Sequence, residues 1–174
     1  MRRSVGLSHQ AEGGAVSMIV VGVDGSKESK NALHWAVEEA GLRGTGLRVV
    51  YAYDFKPAWR ELAYAEVTTR EQMEVLQKQG QREADEARAH AEALVGSIVR
   101  DVADQGVKVQ TIVMQDHHPA EALMAQSEDA DMLVVGSRGR GGFTGLVLGS
   151  VSQQCVHHAR CPVVVIHPDS RADR

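Results

Sequence analysis

Short, unbroken apolar runs alternate with longer amphipathic stretches, and this alternation constrains the chain more than any other feature. Residues 18–23 read MIVVGV, and similar runs fall at 47–53, 107–114, 132–135 and 163–167. Continuous rather than alternating apolarity means strands covered on both faces. The stretches between them are helical in period. Leu33, Ala36, Val37 and Ala40 mark one apolar face; Ala84, Ala87, Ala91, Leu94, Ile98 and Val102 mark another. The order β-α-β-α-β-α-β-α-β predicts an α/β fold: a doubly wound, five-stranded parallel sheet in a single domain.

Local signals set the expected boundaries. Ser26 reads as the N-cap of a helix running to about Arg43, and Gly44-Thr45-Gly46 as the turn after it. A long helix is expected over about Arg70 to Asp104, with Gly96 costing about 1 kcal/mol relative to Ala. Pro119 stands at the first position of the next helix, and a last helix covers Ser150 to Ala159. Residues 54–69 read as a loop with one helical turn. Residues 1–17 read as a flexible polar extension, with two arginines but no apolar segment of a signal peptide. The domain proper is 18–167, and 168–174 is a polar tail.

Charge and composition remove several function classes. A net charge of −4 gives no bulk electrostatic grip on nucleic acid or an anionic membrane. Aromatics at 4% are too sparse for a surface that stacks bases. No run approaches the roughly 18 apolar residues of a membrane span. Cys155 and Cys161, six positions apart, read as small, partly buried thiols of a reducing, cytoplasmic setting. The pairs His117-His118 and His157-His158 make no metal clamp, since adjacent helical residues point about 100° apart.

Doubly wound sheets bind ligands beyond the carboxyl ends of their strands. Two segments there carry suitable chemistry: Asp24-Gly25-Ser26 after the first strand, and GSRGRGGFTGLVLGS (136–150) after the fourth. Six glycines in the second segment let main-chain N–H groups approach an anion without a Cβ in the way. The segment ends at a helix start, where unpaired N–H groups and a macrodipole of about +0.5 charge favour phosphate. It is not a P-loop, because no Gly-Lys-Ser/Thr occurs, and the dinucleotide fingerprint is absent after the first strand. Plainer readings stand beside these. Asp24 can begin a turn and cap the next helix, Ser150-x-x-Gln153 can be a capping box, and Arg138 and Arg140 can face solvent.

The spacing Gly136-x2-Gly139-x9-Gly149-Ser150 resembles the ATP-binding signature of the universal stress protein family. So do VVGVDGS at the first strand, HPAEAL before the fourth, LVVGSRGRGGFTGLVLGSVS at the loop and CPVVVI at the last strand. The resemblance covers about residues 18–167 in the family's order. It implies strand order 3-2-1-4-5, a homodimer paired through the last strand (163–167), and an adenine nucleotide between strands one and four. By position, Asp24 would meet the ribose or a phosphate-bound Mg²⁺, and Ala52 would offer backbone groups to the adenine. Val135, Gly136, Arg138 and Gly139 would line the ribose and first phosphates. Gly149, Ser150, Val151 and Ser152 would hold the distal phosphates through N–H and hydroxyl donors. ATP and Mg are the implied ligands; a cyclic AMP sensor and a nucleotide-free interaction module are the alternatives. The implied role is regulatory or protective. No nucleophile with a positioned base is legible, so at most slow ATP hydrolysis is expected. His117-His118-Pro119 replaces the family's frequent Gly-Asp-Pro, and bulk there is expected to narrow the adenine side.

Overall fold

The computed structural model describes residues 17–57, 69–139 and 147–168. The readings of residues 1–16, most of the 54–69 loop, the middle of the glycine-rich segment (140–146) and the tail from 169 lie outside these. Five strands, β1 (Met18–Gly22), β2 (Gly46–Tyr53), β3 (Val109–Gln115), β4 (Met132–Gly136) and β5 (Val163–Ile166), pair in the order β3-β2-β1-β4-β5. Every pairing is parallel. The crossovers are helices α1 (Lys27–Arg43), α2 (Arg70–Arg100), α3 (Pro119–Gln126) and α4 (Ser150–His158).

Burial follows the two-residue alternation of a strand. Ile19, Val21, Leu47, Val49 and Val134 point to one face, where they pack with Leu33 and Val37 of α1 and Val95 and Ile98 of α2. Val20, Val50, Leu133 and Val135 point to the other, onto Leu123 of α3 and Cys155 of α4. Each large side chain buried this way contributes about 1.5–3 kcal/mol, and the two cores cover β1 and β4 on both faces.

The caps show why the helices start where they do. Gly25 takes a φ of 84°, turning the chain after β1, and the Ser26 hydroxyl then accepts the Ser29 N–H at 3.2 Å. Thr69 and Gln72 form a reciprocal capping box on α2. That helix ends at Arg100 rather than Asp104, and residues 103–105 tighten into a 3-10 turn. Val102 is buried all the same, which is how its apolar stripe continues past the helix. β3 begins at Val109 and β5 ends at Ile166, two residues later and one residue earlier than the sequence runs.

Candidate functional site

The backbone register opens a crevice above β1. Its ladder with β2 ends at Gly22 opposite Val50, and that with β4 at Val21 opposite Val134. Both neighbours run on, β2 to Tyr53 and β4 to Gly136. Val50 still accepts the Val23 N–H at 2.9 Å. Ala52, two residues later and therefore with the same backbone orientation, turns its N–H and C=O toward the space β1 has vacated. Gly136 does the same from β4, since Leu133 and Ser137 on either side of that alternation donate to β5. This is the crevice at the reversal of strand order, where one crossover goes to each face.

A cavity of about 680 Å³ fills this crevice, and all ten site residues expected from the sequence line it: Asp24, Ala52, Val135, Gly136, Arg138, Gly139, Gly149, Ser150, Val151 and Ser152. Nine further described residues line it, among them Tyr51, Tyr53, Asp54, Pro119 and Leu123. The signal for the first three of these was available, because they lie at or just beyond the carboxyl end of β2 as Gly136 lies at that of β4.

At the β4 side, glycines bring three main-chain segments together. A Cβ on Gly136 would lie 2.9 Å from the Glu28 carbonyl carbon in the first turn of α1. One on Gly139 would lie 2.6 Å from Asp24 Oδ2. The other oxygen, Asp24 Oδ1, accepts the Ser26 N–H at 3.0 Å and the Ser26 hydroxyl at 2.6 Å. Asp24 therefore does begin a turn, while Ser26 is the cap, and its second oxygen faces the glycine-rich segment.

The start of α4 corrects one expectation. Its N-cap is Gly149, with φ −75° and ψ 166°, and Ser150 is the first helical residue, so Ser150-x-x-Gln153 is not a capping box. The shift comes from the Ser137 carbonyl, which draws the Gly149 N–H at 2.7 Å and the Ser152 hydroxyl at 3.0 Å. Those two donors are thereby used internally. Among the described residues no side chain caps α4. The first intrahelical bond is Gln153 N–H to Gly149 O, so the N–H groups of Ser150, Val151 and Ser152 precede the ladder at the cavity wall. Arg138, of intermediate burial, lines the same end. Arg140 lies outside the described residues.

The β2 side is different. Pro119 and Leu123 of α3 give it an apolar wall, with Val50 beneath. Neither His117 nor His118 lines the cavity, so the expected narrowing by their bulk does not occur. The His117 Nδ1 instead meets Asp54 Oδ1, and Lys56 Nζ stands 3.7 Å from Asp54 Oδ2. His117 faces a second cavity of about 560 Å³, beside Phe55, Gln77, Gln81 and Gln115.

The donor set fits a phosphate: three uncapped N–H groups, a guanidinium, and glycines where a Cβ would crowd. It fits Mg²⁺ only as a cation shared with phosphates, through Asp24. Among the described residues no three His, Cys, Asp or Glu side chains gather as a metal site. Among those residues also, no helix is long and apolar enough to cross a membrane. Cys155 is buried and Cys161 half-buried, both as free thiols.

Comparison with known proteins agrees with this architecture. The family model described as "Universal stress protein family" matches residues 17–167. A universal stress protein of Mycobacterium tuberculosis (strain ATCC 25618 / H37Rv) is 38% identical over 147 residues, which is 84% of this chain and 44% of that protein. The chain thus spans less than half the length of this mycobacterial relative. A universal stress protein of Thermus aquaticus is 35% identical over 150 residues, covering 85% of this chain and 96% of its own. The solved universal stress protein of Archaeoglobus fulgidus in complex with dAMP is 25% identical, with a TM-score of 0.53 over 86% of this chain and 97% of that one. With the parallel sheet, the crevice and the glycine-lined cavity in place, the chain belongs to the universal stress protein family.

Proposed function

We propose that this protein binds ATP with Mg²⁺ in the crevice between β2 and β4, and that it acts as a homodimeric regulatory or protective stress protein of the cytoplasm. The observation that carries the reading is the uncapped start of α4 on the cavity wall. Three N–H donors at a helix N-terminus favour an anion through hydrogen bonding and dipole together. Gly149 leaves the approach open and is not itself a donor. Arg138 adds a positive charge that neutral donors lack. The Ala52 N–H and C=O form a donor–acceptor pair at the other side of the crevice, two strand spacings or about 10 Å away, suited to a base edge. Bound Mg²⁺ would offset repulsion between Asp24 and the phosphates. The A. fulgidus relative's dAMP is consistent with an adenine ligand.

The dimer reading rests on β5. It ends the sheet, and its four residues, Val163 to Ile166, are only half-buried. An apolar edge strand left open is an association hazard, and a second copy of β5 would cover it. Among the described residues the cavity presents no nucleophile with an adjacent base, so turnover beyond slow hydrolysis is not part of the proposal.

Native mass spectrometry of the purified protein tests both parts. The expected spectrum is a dimer carrying one adenosine triphosphate per subunit. Cyclic AMP in its place would favour the sensor alternative. A spectrum free of nucleotide after incubation with millimolar Mg²⁺-ATP would leave the interaction-module alternative.

A further inference from the structure

Asp54 occupies a position that the phosphate-binding reading does not use. It follows β2 directly and lines the cavity on the side away from α4. Its side chain is about half-exposed. It is also held in place. His117 Nδ1 bonds one oxygen, and Lys56 stands near the other. His117 is itself fixed by a turn in which Asp116 Oδ1 accepts the His118 N–H at 2.7 Å, while the Asp116 N–H donates to Tyr53 O at 3.0 Å. The ends of β2 and β3 are thereby tied together beneath the pair. A carboxylate has about four lone-pair sites, so a histidine and a lysine do not exhaust it.

We propose that Asp54, held by His117, is a specificity-determining residue that selects a base bearing an amino group and rejects the corresponding oxo base. The proposal rests on the nucleotide reading above and assigns the base end of the same site. Two physical effects support it. The Arg138 guanidinium and the N–H groups of the opening turn of α4 lie at the other end of the cavity, so the ligand enters with its polyphosphate toward α4 and its base toward Asp54. A carboxylate can only accept hydrogen bonds. It accepts from the exocyclic amine of adenine, whereas the carbonyl oxygen of hypoxanthine or guanine at that position would face it as a second acceptor. Leaving two acceptors face to face is a repulsive element, and such elements discriminate more strongly than a lost contact alone. His117 is a positioning residue: its Nδ1–H aims the carboxylate and does not touch the base.

The experiment compares binding of Mg²⁺-ATP and Mg²⁺-ITP by calorimetry, using wild type, Asp54→Ala, Asp54→Asn and His117→Ala. ITP differs from ATP in carrying an oxo group where adenine has its amine. Wild type is expected to prefer ATP at least tenfold. Asp54→Ala should bring that preference to within about threefold, mainly by improving ITP. Asp54→Asn should do the same, because an amide can turn its N–H₂ to an oxo group. His117→Ala should fall between. If wild type binds ATP and Asp54→Ala retains the full preference, the main chain of Ala52 does the selecting and the inference is overturned while the nucleotide reading stands. If wild type binds neither nucleotide, the nucleotide reading has failed and the inference goes with it.

Discussion

Replacing Gly139 by alanine tests the contact that joins the β1 turn to the glycine-rich segment. Its φ lies outside the left-handed region, so backbone strain plays no part in the substitution. The new Cβ would stand 2.6 Å from Asp24 Oδ2, closer than real Cβ contacts come. Asp24 cannot swing away freely, since Oδ1 is held by the Ser26 N–H and hydroxyl at 3.0 and 2.6 Å. Either those bonds weaken or the Gly139 backbone retreats, and overpacking of this kind costs about 1–3 kcal/mol. For a domain of this size that is a fall in Tm of about 3–9 °C. Removing the carboxylate removes the clash, so Gly139→Ala should cost little in an Asp24→Ala background. Urea unfolding of the four proteins, followed by far-UV circular dichroism, gives the coupling energy, expected at about 1 kcal/mol or more. Single-mutant costs that add within about 0.5 kcal/mol would show that Asp24 and Gly139 are independent and refute the reasoning.

Other outcomes follow from the same geometry. Gly149→Val should abolish Mg²⁺-ATP binding in calorimetry while leaving the circular dichroism spectrum largely intact. Gly149 has an extended φ of −75° and a Cβ there meets nothing closer than 3.4 Å, so the cost to folding is about 1 kcal/mol of lost capping. Val165→Pro should turn the proposed dimer into a monomer in sedimentation analysis. The Pro162 and Ile166 carbonyls accept from β4, so by alternation Val165 turns its N–H outward, and proline removes that donor without breaking the β4 ladder. Burial, and secondarily the neighbouring Cys161, pushes the Cys155 thiol up to about 11 from 9.0. Over that pH window the unfolded chain binds fewer protons than the folded one, so stability should fall from about pH 9 to 11 and be unaffected below it. Urea midpoints across that range, flattened in Cys155→Ser, check the sign.

The β-branched runs made the sheet legible because parallel strands buried on both faces leave a continuous apolar imprint. The five strands could be anticipated for that reason, and Asp24 and the glycine-rich segment from their place after strand ends, whereas Ala52 came only from the family resemblance. What escaped is non-local. Ser150 carries the local signature of a cap, yet the Ser137 carbonyl captures the Gly149 N–H, and Gly149 becomes the cap with Ser150 the first helical residue. Val102 extends the apolar stripe of α2 past its real end through the 3-10 turn. His117 seemed placed to fill the crevice, but Asp54, 63 positions earlier, draws it aside. No sequence window holds both partners of such a pair.

Amide resonances report most directly on whether a polyphosphate meets the opening turn of α4. In a ¹⁵N-labelled sample titrated with Mg²⁺-ATP, the N–H signals of Ser150, Val151 and Ser152 should shift most, with Ala52 moving alongside them. Saturating nucleotide that leaves those four signals in place, or shifts only residues away from the crevice, would contradict the account.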